Sequence, residues 1–246
     1  MRHTIATLAL ALLCAASARA DFISEFEPNP AGGDPVTQDV ELLGTPNAAF
    51  DLWILSIEND GYNGLVDRFS NVTGSYDAAG RAVVTIGDLE NPSNTVILTD
   101  SFTGDTSTDI DPLDDGTLDL STLGAILDAV GVSDDAGDDA TLYGAILGGV
   151  DILYNGQFEP LSVFRDEVTG DWYQTVTVDF GLPTEHVGVF AASGGAEISG
   201  AAFDIDPTVN LTTFGSANPT LIPEPSTLVG GLIAAVAGIG FARRRK

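Results

Sequence analysis

Phe50-Asp51-Leu52-Trp53-Ile54-Leu55-Ser56-Ile57-Glu58 is a run of branched and aromatic side chains closed by the reversal signal Asp60-Gly61. A run of this length and composition, bounded by turn residues, reads as a β-strand. Similar segments lie on both sides of it. Residues 21–27 and 37–43 precede it, and 64–71, 81–86 and 94–100 follow. Beyond an acidic stretch come 151–154, 161–165, 172–180 and 187–191. Asn29-Pro30, Asn63-Gly64, Ala79-Gly80, Asn91-Pro92 and Thr169-Gly170 supply the reversals between them. The pattern predicts an all-β sandwich. One segment has a different period: Leu120, Leu123, Ile126, Leu127 and Val130 share a helical face, with Asp119 or Ser121 to cap it and Gly131 to end it. It predicts one short helix across an end of the sandwich.

The two ends of the chain carry export signals. Arg2 and His3, an apolar run over 5–16 and the small residues of Ala18-Arg19-Ala20 form the three parts of a secretory signal peptide. Signal peptidase is expected to cut after Ala20. That cut removes Cys14, the only cysteine, so no disulfide can staple the mature chain. Residues 226–242 are uncharged and mostly apolar, and as a helix they would span about 25 Å. Snorkelling by Arg243-Arg244-Arg245-Lys246 makes up the small deficit against a bilayer. By the positive-inside rule these four cations stay cytoplasmic, which predicts a single transmembrane helix with the preceding chain outside.

Pro223-Glu224-Pro225, the apolar stretch and the arginine cluster, in that order, resemble the PEP-CTERM sorting signal of Gram-negative bacteria, the substrate of an exosortase. The resemblance implies that Pro223, Glu224 and Pro225 are the processing site and that the chain is transiently an inner-membrane precursor. It also implies delivery of the mature domain to the cell surface or the extracellular polysaccharide matrix. Two prolines keep the segment extended and free of ladder hydrogen bonds, as suits a protease substrate. The expected layout is a signal peptide over 1–20, an exported domain over 21–215, a linker over 216–222 and the sorting signal over 223–246.

Between the tags the chain is strongly acidic. The whole sequence holds 36 Asp and Glu; setting aside Glu224 leaves 35, against Arg68, Arg81 and Arg165 alone, a net charge of −32. Such a surface repels nucleic acid and anionic lipid, so neither is an expected partner. Recurrent Val, Ile, Leu and Phe, with Trp53 and Trp172, still provide enough apolar surface for a folded core.

Phe22-Ile23-Ser24-Glu25-Phe26-Glu27-Pro28-Asn29-Pro30, then Asp39-Val40-Glu41-Leu42, then Asp51-Leu52-Trp53-Ile54-Leu55, resemble the opening of bacterial lamin-tail domains. That resemblance covers about the first third of the exported region and implies an immunoglobulin-like sandwich. Two departures stand out: Gly44-Thr45-Pro46-Asn47 replaces the usual Asn-Pro, and the chain runs beyond the usual domain length.

The richest chemistry lies in Asp109-Ile110-Asp111-Pro112-Leu113-Asp114-Asp115-Gly116-Thr117-Leu118-Asp119. Calcium takes six to eight oxygens at about 2.3 to 2.6 Å, and alternating carboxylates around a glycine turn can provide them. With Asp111 at loop position one, Asp115 falls at five, Gly116 at six and Asp119 at nine, a register that resembles EF-hand and dockerin loops. Leu113 at position three and Thr122 at twelve depart from it. Asp109, Asp111, Asp114, Asp115 and Asp119 are the candidate calcium ligands. Asp134, Asp135, Asp138 and Asp139 would add to them if the second acidic loop folds alongside; otherwise both loops are simply solvated.

Catalytic sets are short of parts. After export His186 is the sole histidine, with no cysteine and no lysine, so the familiar nucleophile and zinc schemes cannot be assembled. Three readings follow: a non-catalytic surface or matrix module, a calcium-dependent carbohydrate-binding or adhesion domain, and a secreted hydrolase built on a carboxylate pair.

Overall fold

The structure, a computed structural model, describes residues 20–30, 35–89 and 93–223. The expected signal peptide up to residue 19, the transmembrane helix over 226–242, Glu224 and Pro225 lie outside the described residues. Among the described residues no helix is long and apolar enough to cross a membrane.

Among the described residues eleven strands form two sheets. The strands are β1 (Phe22–Phe26), β2 (Thr37–Leu43), β3 (Ala49–Glu58), β4 (Val66–Ser75), β5 (Arg81–Gly87) and β6 (Asn94–Thr99). They continue as β7 (Ile126–Val132), β8 (Val150–Ile152), β9 (Pro160–Arg165), β10 (Trp172–Val178) and β11 (His186–Ala191). One sheet runs β11-β10-β9-β1-β2-β5 and the other β4-β3-β6-β7-β8. Every described pairing is antiparallel except that of β7 with β8. The chain is therefore an all-β sandwich, as the strand pattern predicts.

The run over 50–58 shows how the layers are built. Side chains alternate across a strand, so Phe50, Leu52 and Ile54 enter the core between the sheets with Ile23, Phe26, Val40, Leu42, Val96, Leu98 and Val130. Trp53, Leu55 and Ile57 point the other way, yet they too are packed, against Ile97, Phe102, Ile110 and Tyr143. The cover over that outer face is irregular chain from 100–125 and 141–149. A strand buried on both faces need not alternate, which accounts for the unbroken Val96-Ile97-Leu98 of β6.

The outer face of the other sheet is covered by the chain after β11. Ile198 pairs with Val189, and Phe203 packs edge-on to Tyr173 at 5.1 Å and to Phe164 at 6.0 Å. Residues 204–222 then return across β1 and β2 as a strap, closed by Asp204 N–H to the Thr220 carbonyl (3.0 Å) and Ile222 N–H to the Ala202 carbonyl (2.8 Å). The expected linker over 216–222 is thus docked through Leu221. Asn218 is buried and its amide donates to Ser24 O, Ser24 Oγ and Arg165 O.

The helix expected over 120–130 is corrected by the structure: Ile126–Val132 is strand β7, paired along β6 from Asn94↔Val132 to Thr99↔Ile126. Without it β6, fully buried, would present unpaired N–H and C=O groups along one side. Val130 and Val132 enter the inter-sheet core while Ala129 joins the outer cluster, a period of two. Leu120 and Leu123 belong to the covering loop instead, so the helical spacing arose from two unrelated layers. Helical structure among the described residues is limited to two 3₁₀ turns, Asp138–Ala140 and Gly200–Ala202.

Leu98 is 0 % exposed and Leu113 is 75 % exposed. Leu98→Ala is expected to cost about 2 to 5 kcal/mol in urea denaturation, and Leu113→Ala less than about 0.5 kcal/mol.

Candidate functional site

The acidic loop is pinned to the β3–β4 turn before it does anything else. Ile110 N–H donates to the Gly64 carbonyl at 2.8 Å, and Val66 N–H to the Thr108 carbonyl at 2.9 Å. The approach leaves no room at Gly64, where a Cβ would stand 2.7 Å from the Asp111 nitrogen. The chain then turns around one carboxylate. Asp111 is buried, and it accepts from Asp115 N–H (3.2 Å), Gly116 N–H (3.0 Å) and the Tyr143 hydroxyl (3.1 Å). Gly116 sits at φ +77°, a conformation that costs a glycine little, and Asp114 takes φ 50°. Burial, and then donation to Asp111, push the Tyr143 phenol above its ordinary range.

The other candidate ligands have local tasks. Asp109 accepts from Asp111 N–H (2.9 Å), Asp115 from Thr117 N–H (2.9 Å) and Asp119 from Ser121 N–H (3.0 Å). Ser121, through its side chain and its N–H, holds the Asp119 carboxyl below its usual value. Asp114 and Asp115 join Asp111, Asn63, Thr141 and Tyr143 around a small cleft of about 350 Å³. Among the described residues no three Asp, Glu, His or Cys side chains converge closely enough to hold a metal ion. In this arrangement the Asp111 carboxylate is occupied by the N–H groups of Asp115 and Gly116 and by the Tyr143 hydroxyl.

The second acidic loop serves different partners. The Ser93 hydroxyl lies 2.7 Å from Asp134 Oδ1 and 2.8 Å from Asp138 Oδ2, Asp135 accepts from Gly137 N–H, and Asp139 accepts from Tyr154 N–H. Burial is the main force raising the Asp134 carboxyl, with Asp138 adding to it. None of these four carboxylates is hydrogen-bonded to the 109–119 loop.

Two charged arrangements were not foreseen from the sequence. At one end of the sandwich, a cleft of about 550 Å³ contains Asp128, Arg165 and Trp172. Its polar groups tie the sheets together: the β1–β2 ladder shifts register between Ile23 and Glu25, and the Ile23 N–H donates across to Asp128 Oδ2 at 3.0 Å. Arg165 stands 3.9 Å from the same carboxylate and 4.5 Å from the Phe22 ring. The second arrangement is a cross-strand pair, Glu25 opposite Glu41, buried beneath the strap. Only a register shift and a distant covering segment bring them there, and neither has a local sequence signal. His186 lies outside both, exposed, against Thr184 O and Glu197.

The chain matches no protein-family model, no curated protein and no solved structure.

Tyr143→Phe removes one donor to the Asp111 carboxylate and is expected to cost about 1 to 3 kcal/mol. Asp111→Ala, which strands two N–H groups and a hydroxyl, is expected to cost more than Tyr143→Phe in the same urea denaturation series.

Proposed function

We propose that this chain is an exported, non-catalytic β-sandwich sorted through a PEP-CTERM signal to the cell surface or extracellular matrix, where it serves as a structural or binding module. The observation that supports this best is how far the strap is docked. Among the described residues its last backbone hydrogen bond is Ile222 N–H to the Ala202 carbonyl, and Ile222 and Pro223 are exposed. The docked strap thus reaches the residue before Pro223, and Pro223, the first of the three processing residues, is open to solvent. In this reading signal peptidase releases the chain after Ala20, the inner membrane holds the precursor with its C-terminus cytoplasmic, and exosortase cuts at the tripeptide. The N-terminal lamin-tail resemblance, with its immunoglobulin-like sandwich, belongs to the same proposal. Its three motifs fall on β1, β2 and β3.

Deleting 223–246 is expected to move the protein from the cell surface into the medium or the periplasm, read by fractionation. Unchanged surface display would sink the sorting assignment.

A second reading is a calcium-dependent carbohydrate-binding or adhesion domain, favoured by the way the 111–116 loop wraps the Asp111 carboxylate. A ligand that binds only the folded form stabilises it by about 2.7 kcal/mol at a hundred times its Kd. Millimolar calcium is accordingly expected to raise the melting temperature above that in chelator, and superimposable curves would remove this reading. The carboxylate-hydrolase reading needs a paired acid that substrate can reach. Glu25 and Glu41 are such a pair by register, but the strap roofs both of them.

A further inference from the structure

We propose that Glu25 and Glu41 form a proton-operated latch, holding the C-terminal strap on the sheet while protonated and releasing it when both ionise. This goes beyond the sorting assignment and does not depend on it.

The geometry is specific to the strap. Thr213 donates its N–H to both oxygens of Glu25 (2.9 and 3.1 Å), and its hydroxyl, which donates to Asn218 Oδ1 at 3.0 Å, lies 3.1 Å from Glu25 Oε2 and can accept the proton of the neutral acid; Gly215 donates its N–H to Glu41 Oε2 at 2.7 Å. The two glutamates are 1 % and 0 % exposed and face each other across β1 and β2. Glu41 Oε1 has no hydrogen-bond partner among the described residues. The strap brings no counter-charge: from Pro207 to Leu221 it holds no ionisable side chain, an unusual gap in so acidic a sequence. Burial of two like charges under an uncharged lid is costly, and lifting the lid returns both to water.

Neighbouring charges relieve the pair only at Glu41, and there only in part. Glu27 on the end of β1 adds negative charge beside Glu25, and Asp39 on β2 does the same to Glu27. Arg81 on β5 favours the charged form of Glu41, but its guanidinium is committed to Glu167 Oε1 at 2.5 Å, and Glu167 opposes it. Asp166, in the β9–β10 turn, accepts Leu221 N–H and holds the far end of the strap.

Burial raises both carboxyls from the usual 4.5 to about 7, with strap hydrogen bonds opposing it. The closed strap therefore binds protons more tightly than the open one. Its stabilisation is complete below about pH 4.5 and is lost as pH rises through 7, roughly two orders of magnitude per carboxyl in the closing equilibrium. Each ionisation sends one proton to solvent; no bond to carbon or nitrogen changes.

The test is hydrogen exchange by mass spectrometry on the full chain in neutral detergent, at pH 5.5 and 8.5, corrected for intrinsic rates. Amides of 210–221 should lose at least tenfold in protection at pH 8.5 while those of β6 keep theirs. The E25Q/E41Q double variant should keep the strap protected at both pH values. Equal strap protection in the wild type at both pH values, or a loss shared equally by β6, overturns the latch, and so does a double variant that still opens at pH 8.5. Should the double variant not fold, the wild-type comparison with β6 decides alone.

Discussion

With 35 acids and three arginines between residues 21 and 222, ion pairs cannot neutralise this domain, and its carboxylates must face water or find N–H donors. The structure takes the second course repeatedly. Asp77 accepts from Ala79 and Arg81 N–H, Asp105 from Ser107, Asp166 from Val168 and Thr169, and Asp206 from Thr208. Each such turn closes a reversal that a strand-rich chain needs; Asp77 and Asp105 do so at the surface and Asp166 in the interior. Acidity and topology are therefore one property. The side chains that make the domain acidic also supply the acceptors that fold its loops.

The same rule extends into the interior, where it becomes more consequential. Asp111 organises the loop that covers one outer sheet face, Asp128 bridges the two sheets, and Glu25 with Glu41 seats the strap over the other outer face. These carboxylates join segments far apart in sequence, and removing one would leave N–H groups without partners in a dry place. An acceptor buried for this purpose carries a cost that a surface turn does not, because its charged form is poorly solvated. The raised carboxyls of Glu25, Glu41 and Asp128 all have burial as their first cause.

The strands were legible because each is short, branched-rich and fenced by turn residues; β2 and β9 lie within a residue of where the pattern puts them. Strand β7 was not, because Leu120 and Leu123 in a covering loop complete a false helical face with Ile126 and Val130. Periodicity is evidence only within one element, and no local feature marks the boundary at Gly124. The strap was missed for a related reason. Residues 216–222 are uncharged and mostly polar or small and read as linker, while the strap's anchors are single atoms on β1, β2 and β9. In the acidic loop the sequence puts Asp111 at position one and Gly116 at position six of a calcium loop; in the structure Gly116 N–H donates to Asp111, and the side chain that covers Asp111 is Tyr143, thirty-two residues away.

Covering both outer faces with irregular chain has a consequence for where binding can occur. A sandwich usually offers the flat outer side of a sheet to partners, yet here one such face lies under residues 100–125 and 141–149 and the other under the strap. Two of the clefts left open lie at the rims, one beside Asp111 and one beside Arg165. The two differ in sign, the first ringed by acids and the second holding one of the domain's three cations. A cationic ligand is directed to the first by the whole field of the molecule, while any ligand of the second must meet a guanidinium already shared with Asp128 and the Phe22 ring. The strap alone could change this division. Lifting it would uncover a sheet surface that carries the paired Glu25 and Glu41, so the strap also decides how much of the sheet is surface.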